Sequence, residues 1–332
     1  MNSFDSKYKQ IQLLDILPNQ ILAFDIYLYL PANDKYVHYI RAHDVLTDDQ
    51  LQRLKFNKIK ELFILKSDLE KYNDYVSSNI RSLLSIEDAK LKKQAIKSAA
   101  ELIINSVEML SSDGDIIEWN NNCIELTKTV IDDIVQTDDI SIAYDKISEY
   151  LSATPTLANH SLIVSSLGVI VAMSLGNSAP RTLTEIAYGG LVHDIGLGSL
   201  PTKIAEKYLN RNEMSVVEIA LLKEHPRKGV NVLQKIIKSR NITDNVLKIV
   251  LEHHENVSGN GYPQGLAFEE LSYLPKIISI ADKVALEMLS IGTGEINLRY
   301  IILKIMREQG PKEIFDQKML RVLLENISHG RT

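Results

Sequence analysis

The chain has 332 residues, 45% hydrophobic and 24% charged, with a net charge of −6. That balance is a globular protein's, long enough for about two domains, and it excludes a lysine-rich, non-specific binder of nucleic-acid polymers. A single cysteine, Cys123, excludes a disulfide framework and points to a reducing, cytoplasmic setting. No apolar leader opens the sequence. No stretch is expected to reach the ~18 apolar residues of a membrane span; the best candidate, SLIVSSLGVIVAMSLG, is short and rich in serine and glycine.

In chain order, AFDIYLYLP and KYVHYIR are aromatic and β-branched runs separated by the turn-forming ANDK, which predicts a hairpin. Thr47 with Gln50, and Ser67 with Glu70, are spaced as capping boxes for two short helices, and ELFIL between them reads as a strand. These elements make residues 1–85 a small α+β unit, sensory or partner-binding. From Glu87 onward the spacing is helical. Residues 86–150 are expected to form a helical connector, and residues 151–332 an all-helical domain, so that the fold is mainly α.

Four helical segments of the second half place histidine or aspartate on an apolar face. The stripe Val246, Ile249, Val250 continues onto His253 and His254. His160 shares a face with Ile163, Val164, Leu167 and Val171, and Asp282 lies in line with Ile278, Ala285 and Leu289. His193 stands seven residues after Ile186, next to Asp194, in a helix expected to start at a Thr182–Glu185 capping box and to end at Gly196 and Gly198. Ser215 and Glu218 predict a helix start, with His225 at that helix's C-terminal end before Pro226. One such histidine reads as a core group bonded to a carbonyl. Seven buried polar groups without partners would each cost ~1–3 kcal/mol, and shared metal ions remove that cost. His38, His329 and the pair His43-Asp44 have no such companions and read as surface.

The ordered set His160, His193-Asp194, His225-Pro226, His253-His254-Glu255 with Gly259-x-Gly261-Tyr262-Pro263, and Ala281-Asp282 resembles the HD-GYP subgroup of the HD phosphohydrolases, over roughly residues 150–290. The resemblance implies an α-helical domain whose metal cluster hydrolyses cyclic di-GMP or a related nucleotide. It implies two divalent ions, iron or manganese by family habit. His160, His193, Asp194 and Asp282 would hold one, and Asp194 as a bridge with His225, His253 and His254 the other. A hydroxide shared by the ions would attack the phosphodiester, making His193 and Asp194 the catalytic pair. Gly261, Tyr262 and Pro263 would form the turn beside the substrate.

Some positions depart from the family pattern. Leu197 stands where a lysine would face the phosphate, so Leu197→Lys is expected to raise turnover. Ser258 replaces an aspartate, and Thr156 replaces the glutamate of members with a third metal. After Asp282 the run KVALEMLSIGTGEINL carries no arginine before Arg299. These departures imply low activity, or an effector acting through ligand or protein binding.

Overall fold

The computed structural model describes residues 7–59, 61–107, 110, 113–135, 143, 147, 150, 151, 156–237, 242–291, 297–309, 312 and 314–329. Most of the connector's last stretch, 136–149, lies outside them, as do residues 292–296 and the side chain of His329.

Strands β1 (Tyr8–Gln12), β2 (Ile26–Leu30), β3 (Lys35–Ile40) and β4 (Glu61–Leu65) form one antiparallel sheet in the order β1-β4-β2-β3. The expected hairpin is β2–β3, closed between Leu30 and Lys35. Thr47 caps α1 (Asp48–Phe56) with a complete capping box. The second box does not form: Ser67 lies inside a 3-10 turn, Lys66–Asp68, and α2 (Leu69–Leu84) starts after it without a side-chain cap. Tyr72, Val76 and Ile80 of α2 are buried in one core with Ile11, Ile26 and Ile64 of the sheet, and the Tyr72 hydroxyl donates to Asp15 at 2.7 Å.

Helices α3 (Ala89–Ser106) and α4 (Asp113–Val135) follow. Their apolar faces join the sheet's core to that of the helical half, so that one buried cluster runs from Ile11 to Leu323. Trp119 on α4 donates to the Ile103 carbonyl at 2.7 Å.

Helix α5 (Leu157–Ser174) is buried along nearly all its length against α3, α6 (Pro180–Val192) and α11 (Tyr273–Ile291). At 18 residues it is long and apolar enough to cross a membrane, which the sequence reading did not expect; its continuous apolarity answers to a core surrounded by other helices. A 3-10 segment, Ile195–Ser199, follows α6. Then come α7 (Thr202–Leu209), α8 (Val216–Leu222), α9 (His225–Ile237) and α10 (Asp244–Glu252) before α11, and α12 (Leu298–Gln309) and α13 (Gln317–His329) after it.

Proline decides two boundaries differently from the sequence reading. Helix α6 begins at Pro180, whose missing N–H and fixed φ suit a first helical position. The Thr182–Glu185 box therefore falls inside the helix, and Glu185 instead accepts from Arg181 at 3.2 Å and Asn245 at 2.7 Å. Likewise α8, which does start with the Ser215–Glu218 box, ends at Leu222; His225 opens α9 with Pro226 beside it.

Candidate metal centre

The chain turns at several helix ends to build one cluster. His160 projects from α5, His193 caps the C-terminus of α6, and Asp194 precedes the 3-10 segment. His225 opens α9, His253 caps α10 with His254 after it, and Asp282 sits on α11. All seven residues selected from the sequence converge in two groups: His160, His193 and Asp282, and Asp194, His225, His253 and His254. His160, His193, Asp194 and His225 are fully buried, with His253 and Asp282 nearly so and His254 half-buried.

Asp194 joins the groups. Its Oδ2 lies 3.5 Å from His160 Nε2 and 3.3 Å from His193 Nε2; its Oδ1 lies 3.0 Å from His225 Nε2 and 3.5 Å from His253 Nε2. Asp282 Oδ1 is 3.1 Å from His160 Nε2. Within each group the ring nitrogens face each other: Nε2 of His160 and His193 are 3.3 Å apart, and those of His225 and His253 are 3.2 Å apart.

The backbone sets the tautomers. His193, His225 and His253 place Nδ1 2.8, 2.7 and 3.0 Å from the carbonyls of Gly190, Leu222 and Val250. With the proton held there, each Nε2 turns a lone pair inward, the arrangement that metal-bound histidines adopt. Both Asp194 oxygens, Asp282 Oδ1 and His254 Nε2 are then buried without a hydrogen-bond partner. Imidazole nitrogens and carboxylate oxygens orphaned around common points are the donor set of a divalent metal site.

Burial, followed by the neighbouring histidines, pushes His254 well below the usual histidine range, and burial lowers His253 as well, which favours the neutral form that a metal would need. Burial also works against charge on His160, but its contacts with Asp194 and Asp282 carry it up to about 9. Burial opposes ionisation of Asp194 too; its interactions with His193, His160 and His225 override it and hold the carboxyl well below its ordinary range.

The loop after His254 is tied to the cluster. Glu255, nearly fully buried, accepts from the amides of Gln264, Gly265 and Leu266 at 2.6, 3.1 and 2.9 Å. A Cβ on Gly261 would fall on the Glu255 backbone, so glycine permits this fold-back. Tyr262 stacks on His254 with ring centroids 4.7 Å apart, Lys223 lies 5.5 Å from the Tyr262 ring, and Arg227 donates to the Pro263 carbonyl at 3.0 Å. Across the cluster Gly196 brings the 3-10 segment directly onto α9: a Cβ there would fall on the His225 carbonyl.

Two expectations change. Leu197 is fully buried in an apolar cluster with Leu200, Ile204 and Leu222, away from the seven gathered polar residues. The lysine position lies within the 3-10 segment, whose turn sends this side chain into the apolar layer beneath α7. Thr156 caps α5 through the Asn159 amide and donates at 2.6 Å to Glu101 of α3, so a carboxylate from far along the chain stands where the sequence showed none. Burial raises the Glu101 carboxyl above its ordinary value. Ser258 turns inward on its own loop, donating to Asn256 at 2.8 Å. Outside the cluster His43 and His38 are exposed as expected, with His38 3.2 Å from Asp25. Sequence reasoning missed Glu101, Tyr208 and the loop-holding role of Glu255; the acidic residue directly after two ligands was the available signal for the last.

The HD-domain family profile matches residues 151–316, half of the chain. Cyclic di-GMP phosphodiesterase PA4108 of Pseudomonas aeruginosa is 32% identical over 123 residues, covering 37% of this chain and 28% of the relative. Cyclic di-GMP phosphodiesterase PdeB of Borreliella burgdorferi is 27% identical over 184 residues, 54% of this chain and 46% of the relative. The chain thus matches less than half the length of either. In fold it is similar to Bd1817, a HDG"Y"P protein from Bdellovibrio bacteriovorus, with a TM-score of 0.65 at 22% identity, over 97% of this chain and 99% of that one. That likeness takes in the N-terminal sheet as well as the helices. With the family match over residues 151–316 and its motif residues gathered on one buried cluster, the chain belongs to the HD-domain family, in its HD-GYP subgroup.

Proposed function

We propose that the protein is a dinuclear metal-dependent phosphodiesterase of the HD-GYP type, acting on cyclic di-GMP or a related cyclic dinucleotide in the cytoplasm. The observation that carries this reading is Asp194, whose two oxygens each face a different histidine group. His160, His193 and Asp282 would complete one site, and His225, His253 and His254 the other. A pair of divalent ions supplies activated water and neutralises phosphodiester charge. The mixed nitrogen and oxygen donors suit iron or manganese. His193 and Asp194 keep the donor atoms oriented, and Gly261, Tyr262 and Pro263 border the substrate. Residues 1–85 serve as an input or partner-binding unit on the connector 86–150, and residues 151–332 as the hydrolytic domain.

The test is hydrolysis of cyclic di-GMP, and of a second cyclic dinucleotide, by iron- or manganese-loaded protein handled without oxygen. Linear dinucleotide or mononucleotide should appear with wild type and not with Asp194→Ala. The apolar burial of Leu197, which leaves the site without the family's lysine, favours a second reading: an effector that keeps its ions and binds nucleotide without turnover. In the same experiment that protein would bind the nucleotide and release no product.

A further inference from the structure

Tyr208 is the next-to-last residue of α7, and its buried hydroxyl has no hydrogen-bond partner. Its ring centroid lies 6.4 Å from that of His160, 6.4 Å from His225 and 6.2 Å from His254, so it faces members of both histidine groups. Asp194, Asp282 and Tyr262 all stand within electrostatic reach of the phenol. The other side of the ring packs on the cluster of Leu197, Leu200, Ile204 and Leu222. A buried hydroxyl without an acceptor destabilises the fold; phenylalanine would fill the same space without that penalty. The hydroxyl is thus a donor held beside the cluster with no acceptor among the described residues.

We propose that Tyr208 is a substrate-contacting residue whose hydroxyl donates to a phosphate oxygen bound at the cluster, and that Leu197 is its positioning residue. Tyr208 then supplies the donor expected from a lysine at position 197, and the leucine supports it by packing. A neutral phenol offers one directed hydrogen bond where an ammonium would offer charge, which suits discrimination of phosphate geometry more than raw attraction. This inference rests on the phosphodiester reading of the site.

Inorganic phosphate is the probe, titrated calorimetrically into the manganese-loaded full chain. Wild type and Tyr208→Phe should hold the same amount of metal, and the variant should bind phosphate about tenfold more weakly. Leu197→Ala should weaken phosphate binding in the same direction, by less, with metal retained. Equal affinity of wild type and Tyr208→Phe would overturn the proposal and leave the phosphodiester reading standing. So would loss of metal in Tyr208→Phe, since the hydroxyl would then serve the ligands themselves. Absence of any phosphate binding by loaded wild type would overturn both.

Discussion

Helix α11 carries two buried carboxylates five residues apart, in opposite circumstances. Glu287 is saturated: Lys283 at 2.7 Å and Arg211 at 2.9 Å meet one oxygen, and Lys304 at 2.8 Å the other. Burial opposes its ionisation, yet Lys283 and Lys304 hold it at about 2. Asp282 keeps one oxygen, and Asp194 across from it both, buried without a hydrogen-bond partner. A carboxylate that the chain itself satisfies belongs to the architecture. One left bare in the interior, at a cost that folding would otherwise remove, is kept for something that arrives from outside.

Breaking the bare side should have the largest effect. Asp194→Ala removes the one group shared by both halves of the cluster, so elemental analysis should fall from two ions per wild-type chain to none, while His160→Ala should retain about half. A third stoichiometric ion in wild type would overturn the two-ion reading. Because metal binding is coupled to folding when several helices converge on it, Asp194→Ala should also lose the rise in melting temperature that metal gives wild type.

Leu197→Lys comes next. An ammonium placed among Leu200, Ile204 and Leu222 would be buried in apolar surroundings, and the variant should lose about 3–5 kcal/mol of stability in denaturant unfolding instead of turning over faster. Unchanged stability with faster hydrolysis would show that this side chain can swing to the cluster.

The saturated side breaks more gently and with a pH signature. Glu287 has its folded-state pKa lowered to about 2 from 4.5, so its contribution is present above about pH 4.5 and is lost as pH falls toward 2. Glu287→Gln should therefore melt below wild type at neutral pH, and the gap should close on acidification, with metal content unchanged. A gap that widens in acid would contradict the assignment. The smallest effect belongs to His43, exposed and at φ +71°, where asparagine avoids the strain that alanine would add. His43→Asn should stay within about 0.5 kcal/mol of wild type.

The seven gathered residues were legible in the sequence because His160, His253, His254 and Asp282 continue apolar helical stripes whose period announces burial, and because a buried histidine without a partner asks for one. The β2–β3 hairpin and the Thr47 and Ser215 caps were legible because their signals span three or four residues. The Ser67 and Thr182 boxes failed where a 3-10 turn and a proline offered competing starts within the same few residues. His225 was placed on the wrong helix for the same reason, though on the right cluster. Glu101 meeting Thr156, and Tyr208 closing over His160, join residues 48 to 55 positions apart. No local pattern carries such a contact; it exists only after the helices have packed.

Gly196 has one more consequence. Where the 3-10 segment meets α9, main chain lies on main chain, and nothing in that contact has rotamers to explore. The spacing between Asp194 and His225 can thus breathe only as far as two backbones can slide past each other. Thermal motion of the surrounding side chains is decoupled from it. A residue outside that contact, such as Ser258 on its own loop, can then change without loosening the inner geometry.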